Sequence, residues 1–181
     1  MKKALYILGQ LTDSDANWLF KAGQKMTLKP NEVLITEGKP IEAVYIVLVG
    51  TLAIIHKGQK INQVSTGDIV GEMSFVDARP PSATVKSVDT VTLLAIPRSQ
   101  LQWKIEHDPA FGVHFYRALS IFLSYKMRDV IGMLGFGEPG NLPSDQAADD
   151  DLDDNIMDTL YSGGLRFERL IQQLLTIDHA K

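Results

Sequence analysis

The sequence predicts a mainly β fold with helical flanks, in which seven or eight short strands close into a small antiparallel barrel or sandwich. Residues 25–96 fall into short runs rich in Val, Ile and Thr, punctuated by Gly38, Gly50, Gly58 and Gly67 at strand-plus-turn spacing. Closure of such a sheet hides strand edges that would otherwise pair with other chains. After Pro97 the apolar residues change to helical spacing. The length of 181 residues, with 45% apolar and 22% charged, fits one compact domain plus an extension and argues against a two-domain enzyme.

The elements follow in order. Met1-Lys2-Lys3 and the apolar Ala4 to Leu8 superficially look like a secretory signal. The run is brief and leads into Gln10 and Asp13 without a small-residue cleavage site, so it reads as a short helix of a soluble protein. Thr12 with Asp15 three residues on is an N-cap signature; Trp18, Leu19 and Ala22 then follow at helical spacing until Gly23. Strands are expected at residues 26–28, 33–36, 43–48, 51–56, 59–64, 82–86 and 90–96, with a further short strand stopping at Gly71. The longest charge-free apolar stretch, residues 43–55, is 13 residues long and is interrupted by Gly50 and Thr51. A membrane span needs about 20, so this stretch reads as two strands and a turn.

Leu101 and Ile105, then Phe111, Phe115, Ala118, Leu119, Phe122, Tyr125 and Val130, form an apolar helical stripe, broken where Asp108-Pro109 restarts the helix. Gly132, Gly135, Gly137, Pro139, Gly140 and Pro143 end it. Residues 1–134 are therefore read as the domain, 135–155 as an acidic Gly/Pro/Asp-rich linker, and 156–181 as a short helical segment with a break at Gly163-Gly164. In that last segment Phe167, Leu170, Ile171, Leu174 and Leu175 form a stripe that needs a partner surface. The linker lacks the glycine that follows Asp-x-Asp-x-Asp and the distal Glu of a calcium loop.

The net charge of -4 is unevenly spread. Residues 1–134 hold 15 basic and 12 acidic groups, hence +3; residues 135–181 hold 3 and 10, hence -7. A tail of that sign repels a phosphate backbone, and too little chain follows residue 134 for a helix-turn-helix, so direct DNA binding is not expected. The absence of cysteine excludes a disulfide framework and a thiolate zinc site, and points towards the cytoplasm. His56, His107, His114 and His179 are too dispersed for a metal site, and no Gly-x-Ser-x-Gly elbow is present, so neither a metal nor a catalytic residue is assigned and the chain is not read as an enzyme.

The most informative stretch runs from Gly67-Asp68-Ile69-Val70 through Gly71-Glu72-Met73-Ser74-Phe75 to Arg79-Pro80-Pro81-Ser82-Ala83-Thr84-Val85. It reads as a strand that stops at Gly71, one helical turn from Glu72, a proline-stiffened connection and a return strand. Free backbone N–H groups after the glycine suit an anion, and a carboxylate beside them suits a sugar hydroxyl on the same ligand. Together with Tyr45-Ile46-Val47-Leu48, Gly50, and Leu93-Leu94 leading to Arg98 and Leu101, these residues resemble the cyclic nucleotide-binding domains of catabolite-activator-type regulators, protein kinase A regulatory subunits and gated channels. The resemblance covers about two-thirds of the chain, from Leu11 to roughly Val130. It implies an eight-stranded antiparallel, jelly-roll-like β-roll with an N-terminal and a long C-terminal helix, and cyclic AMP or cyclic GMP as ligand. It further implies a cassette in which Gly71 and Glu72 meet the ribose, Ser82 and Ala83 meet the cyclic phosphate, and Met73 and Ser74 complete the turn.

One position departs from that pattern. Family members that bind nucleotide usually carry arginine just before the Ser/Ala pair, and this chain has Pro81 there, with neither charge nor backbone N–H. Arg79, two residues earlier in an extended segment, faces the same side and is the candidate substitute; its alternative is a solvated turn beside Asp77. Glu72 likewise has two readings, a ligand contact or a helix N-terminal carboxylate. Two functions follow: a cytoplasmic receptor that senses cyclic nucleotide and signals to a protein partner through its C-terminal helices, or a degenerate module for protein interaction. The stripe of Phe111, Phe115 and Phe122 is expected either to bury itself on the barrel or to pair with a second copy in a homodimer.

Overall fold

The structure, a computed structural model, describes residues 8–133 and 154–176. Two four-stranded antiparallel sheets face each other. The strands are β1 (Gln24–Leu28), β2 (Val33–Ile35), β3 (Ala43–Val49), β4 (Thr51–His56), β5 (Gln59–Ser65), β6 (Ile69–Val70), β7 (Thr84–Ser87) and β8 (Val91–Pro97). One sheet has the order β1-β8-β3-β6 and the other β2-β7-β4-β5, which is a β-roll. The helices are α1 (Asp13–Ala22), α2 (Glu72–Asp77), α3 (Arg98–His107), α4 (Pro109–Met133) and α5 (Asp154–Thr176). Residues 8–10 are also helical.

The uninterrupted apolar character of β3 and β8 has a direct cause: both are buried on both faces. Val47, Val91 and Leu93 point into the roll, where they meet Leu28, Leu52, Val64 and Val85. Val44, Ile46, Leu48, Leu94 and Ile96 point the other way, into a second cluster shared with the helices. The outer strand β5 is exposed apart from Val64, and β7 alternates, with Val85 and Ser87 buried between half-buried Thr84 and Lys86. At the β3–β4 turn Gly50 has φ +95°, and a Cβ there would lie 2.6 Å from the Thr90 carbonyl oxygen, so only glycine fits.

The expected N-cap of α1 is formed. The Thr12 hydroxyl accepts from the Asp15 N–H at 3.1 Å, and Asp15 accepts from the Thr12 N–H at 3.0 Å. Asp15 also faces His114 Nδ1 of α4 at 3.0 Å, which ties the first helix to the long one. Burial pushes the Asp15 carboxyl up, but the Thr12 and His114 hydrogen bonds outweigh it and leave the group below its ordinary value. The break between α3 and α4 falls at Asp108-Pro109, as the sequence indicates. Asp108 accepts from the Phe111 N–H at 3.1 Å, and Pro109 takes the first helical position, where no N–H is needed.

Phe111, Phe115 and Phe122 of α4 are 0%, 5% and 0% exposed, packed with Ala118 and Leu119 on the helix-side cluster. The stripe is thus consumed within its own chain and is not the surface that a second copy would meet. The helix has another apolar line on its outer face, with Val113, Tyr116, Met127 and Ile131 all exposed.

The expected break at Gly163-Gly164 does not occur, and α5 runs through both glycines. Each costs about 1 kcal/mol relative to alanine in a helix, and burial of Phe167 and Leu170, 1% and 0% exposed, offsets this. The partner surface of that stripe lies in the same chain, against Leu8 and Leu11. Arg166 fastens it, donating from Nε to Asp13 at 2.7 Å and from a terminal nitrogen to the Leu8 and Gly9 carbonyls at 2.8 and 3.2 Å. That guanidinium holds the Asp13 carboxyl below the usual carboxylate range. Apart from Asp154 and Asn155, which open α5, the acidic linker lies outside the described residues, as do residues 1–7, His179 and the side chains of Tyr125, Val130, Leu174 and Leu175.

Candidate functional site

The cassette begins where β6 leaves β3, after the pairs Tyr45–Val70 and Ile46–Ile69. Gly71 turns the chain with φ +89°, and a Cβ there would lie 2.8 Å from Ile41 Cδ1 and 3.1 Å from the Ala43 carbonyl. The left-handed backbone therefore demands glycine at this point, and the Ala43 carbonyl leaves a Cβ little room. The short helix α2 follows and stops at Ala78, itself left-handed at φ +57°.

Glu72 is 3% exposed and lines a cavity of about 10 Å³ with Leu19, Ile46, Phe75, Leu101 and Phe115, on the helix side of the sheet. It stands in the first turn of α2, where a carboxylate is favoured by the helix dipole. Ser74 is buried, and its carbonyl accepts from the Arg98 guanidinium at 2.9 Å. The same guanidinium lies 5.7 Å from the Phe75 ring centroid, and the Arg98 N–H donates to the Glu42 carbonyl at 2.7 Å. Phe75 in turn meets Phe115 of α4 edge-on at 5.8 Å. Arg98 thereby ties the cassette helix to α3, and Phe75 ties it to α4. Met73, by contrast, is 55% exposed.

Arg79 does not reach inward. Its side chain is 84% exposed, its guanidinium lies 4.0 Å from Asp77, and its N–H donates to the same carboxylate at 3.0 Å. An exposed pair of this kind contributes little. The solvated-turn alternative is the one observed.

Downstream, the connection is fastened to two neighbouring turns. The Pro81 carbonyl accepts from the Gly38 N–H at 2.8 Å, and the Thr84 hydroxyl accepts from the Glu37 N–H at 3.0 Å. The Ser82 carbonyl faces His56 Nδ1 at 2.8 Å. β7 starts at Thr84, two residues later than expected. The Ser82 and Ala83 N–H groups donate to no described residue. Glu37 and His56 lie 19 positions apart, and no local pattern in the sequence links them.

Half-buried Leu34, Ile41, Tyr45 and Ile54 edge the roll interior. Burial, then the Glu42 carboxylate, pushes the Tyr45 phenol up. The three described histidines lie apart: His56 beside Glu37, His107 stacked on Trp103 and His114 beside Asp15. No group of three His, Asp or Glu able to hold a metal occurs among the described residues, and none of their helices is long and apolar enough to cross a membrane.

Residues 25–108 match the cyclic nucleotide-binding domain family. A putative potassium channel protein of Rhodopseudomonas palustris is 28% identical over 110 residues, 59% of this chain and 26% of the channel. The chain thus spans about a quarter of that relative's length or, for a cGMP-dependent protein kinase of Plasmodium berghei that is 27% identical over 85 residues, 10% of it. A solved cyclic nucleotide-binding domain from Methylobacillus flagellatus superposes with a TM-score of 0.67 at 24% identity, covering 77% of this chain and 85% of that one. The match, the two-sheet roll and the glycine-led cassette agree, and over residues 25–108 this chain is similar to the cyclic nucleotide-binding domain family.

Proposed function

We propose that this chain is a small cytoplasmic regulatory receptor, not itself an enzyme, that takes up cyclic AMP or cyclic GMP in the cassette and signals to a protein partner through its C-terminal helices without binding DNA. The observation that supports this best is the pair of uncommitted amides at Ser82 and Ala83, at the end of a cassette whose turn at Gly71 accepts only glycine. Two such N–H groups suit a cyclic phosphate. Ligand would favour one of two placements of α2, and α3 and α4 feel the difference through Arg98 and Phe75.

Affinity is expected to be weak. No cation stands at Pro81, Arg79 points to solvent, and a hydrogen bond to a charged group is worth about 1.5–3 kcal/mol. Calorimetric titration of the unmodified chain should give small, saturable heats with one of the two nucleotides. Heats no larger than dilution at high micromolar nucleotide would favour the second reading, an interaction module that has lost its ligand.

A second copy is the partner best suited to the outer face of α4. Val113, Tyr116, Met127 and Ile131 span 19 residues, about 27 Å of helix, with the exposed Ser120 between them. Light scattering should report twice the 20.0 kDa chain mass and one chain mass for Tyr116→Asp. A monomer at high micromolar concentration of the unmodified chain would end this assignment.

A further inference from the structure

The sequence of α5 works against its own helix. Gly163 and Gly164 fall at its tenth and eleventh positions, with nine residues before them and twelve after. Runs of that length are marginal as isolated helices in water, and each glycine shifts the helix–coil balance away from helix by about fivefold relative to alanine. Gly164 is not required by space: a Cβ there would meet no atom within 4 Å, and the residue sits inside the helix. Alanine would fit, so this glycine weakens the helix without improving its packing.

Attachment offsets the weakness. Phe167 and Leu170, 1% and 0% exposed, are buried in the cluster that holds Leu8 and Leu11, with half-buried Ile171 packed against it. Arg166, beside them, donates to the Asp13 carboxylate at 2.7 Å and to the Leu8 and Gly9 carbonyls at 2.8 and 3.2 Å. All three acceptors lie in residues 8–13, before or at the start of α1. The Asp13 side chain is 66% exposed, so solvent screens the ion pair and the clasp opens readily. Elsewhere on α5 Tyr161 and Leu165 stand in solvent, 73% and 49% exposed.

We propose that α5 is a conditional helix: it is folded only while docked on residues 8–13, and it opens and refolds as one unit while the roll and α4 stay intact, baring Leu8 and Leu11 each time it opens. Order and disorder of a single segment is a recurrent form of molecular switch. Here Arg166, Phe167 and Leu170 are the anchor, and the paired glycines set how readily the segment opens. The switch works whether or not the cassette holds a nucleotide.

Amide hydrogen exchange of the full-length chain tests it, comparing residues 161–172 of α5 with residues 111–122 of α4 in the unmodified chain, Gly164→Ala, Arg166→Gln and the double variant. The α5 amides should exchange together and faster than those of α4. Gly164→Ala should slow them about fivefold, and Arg166→Gln should speed them about tenfold, with α4 unchanged in both. The double variant should regain about fivefold of what Arg166→Gln loses. Equal rates for α5 and α4 in the unmodified chain would overturn the proposal, because α5 would then open only with the whole domain. Rates of α5 unmoved by either substitution, or changes carried equally into α4, would overturn it as well.

Discussion

Phe111→Ala should lower the stability of the domain by about 3–5 kcal/mol, the largest effect expected of any single truncation in the helical half. Phe111 is fully buried, and its ring meets Trp18 of α1 edge-on at 5.3 Å and Phe115 in a stack at 5.8 Å. Lys104 Nζ of α3 lies 5.5 Å from its centroid, held there by Asp108 at 2.7 Å. One side chain thus joins α1, α3 and α4, and its removal leaves a void that three helices must collapse to fill. For a chain of this size each kcal/mol moves the melting temperature by about 2–4 °C. The midpoint should fall by roughly 6–20 °C, while Arg117→Ala, exposed on the same helix, should stay within about 0.5 kcal/mol of the parent. Equal effects at the two positions would mean that α4 is not packed as described.

Pro81→Arg should tighten cyclic nucleotide binding by about ten- to a hundredfold, the equivalent of one charge-assisted hydrogen bond. The substitution keeps the Pro81 carbonyl that accepts from Gly38, so the clip between the two loops survives. What is added is a guanidinium able to grip two phosphate oxygens, beside the uncommitted amides of Ser82 and Ala83. The expected signature is a change in dissociation constant for cyclic nucleotide and none for adenosine. An unchanged affinity, with an unchanged melting temperature, would mean that a missing cation is not what limits the cassette.

What could be read from the residues in advance follows the range of the interactions involved. The capping box at Thr12 and Asp15, the restart at Asp108-Pro109 and the strand end at Gly71 with a helical turn from Glu72 are all set within three or four residues, and the structure has each where the sequence indicates. The sheet order was out of reach of local pattern, because β3 and β8 pair across nearly fifty residues. The resemblance supplied the roll but not the order of its strands. The phenylalanine stripe was visible, but periodicity tells only that a face is apolar, not whether a roll or a second copy covers it. Gly163-Gly164 misled for the converse reason: a local penalty of about 2 kcal/mol was overridden by burial of Phe167 and Leu170 against the first helix. At the cassette, the direction of Arg79 and the Glu37–His56 pair depend on loops that meet only after folding.

The proposed receptor role requires that the cassette between Gly71 and Ala83 receive the cyclic nucleotide. Amide chemical shifts of the isotopically labelled chain, followed while cyclic AMP or cyclic GMP is added to millimolar concentration, test it most directly, because weak occupancy still moves the signals of the residues involved. The account predicts saturable shifts centred on Gly71, Ser82 and Ala83, extending through Phe75 to α4 and absent with adenosine. A spectrum in which those amides stay still, or in which the shifting residues lie elsewhere on the chain, would contradict it.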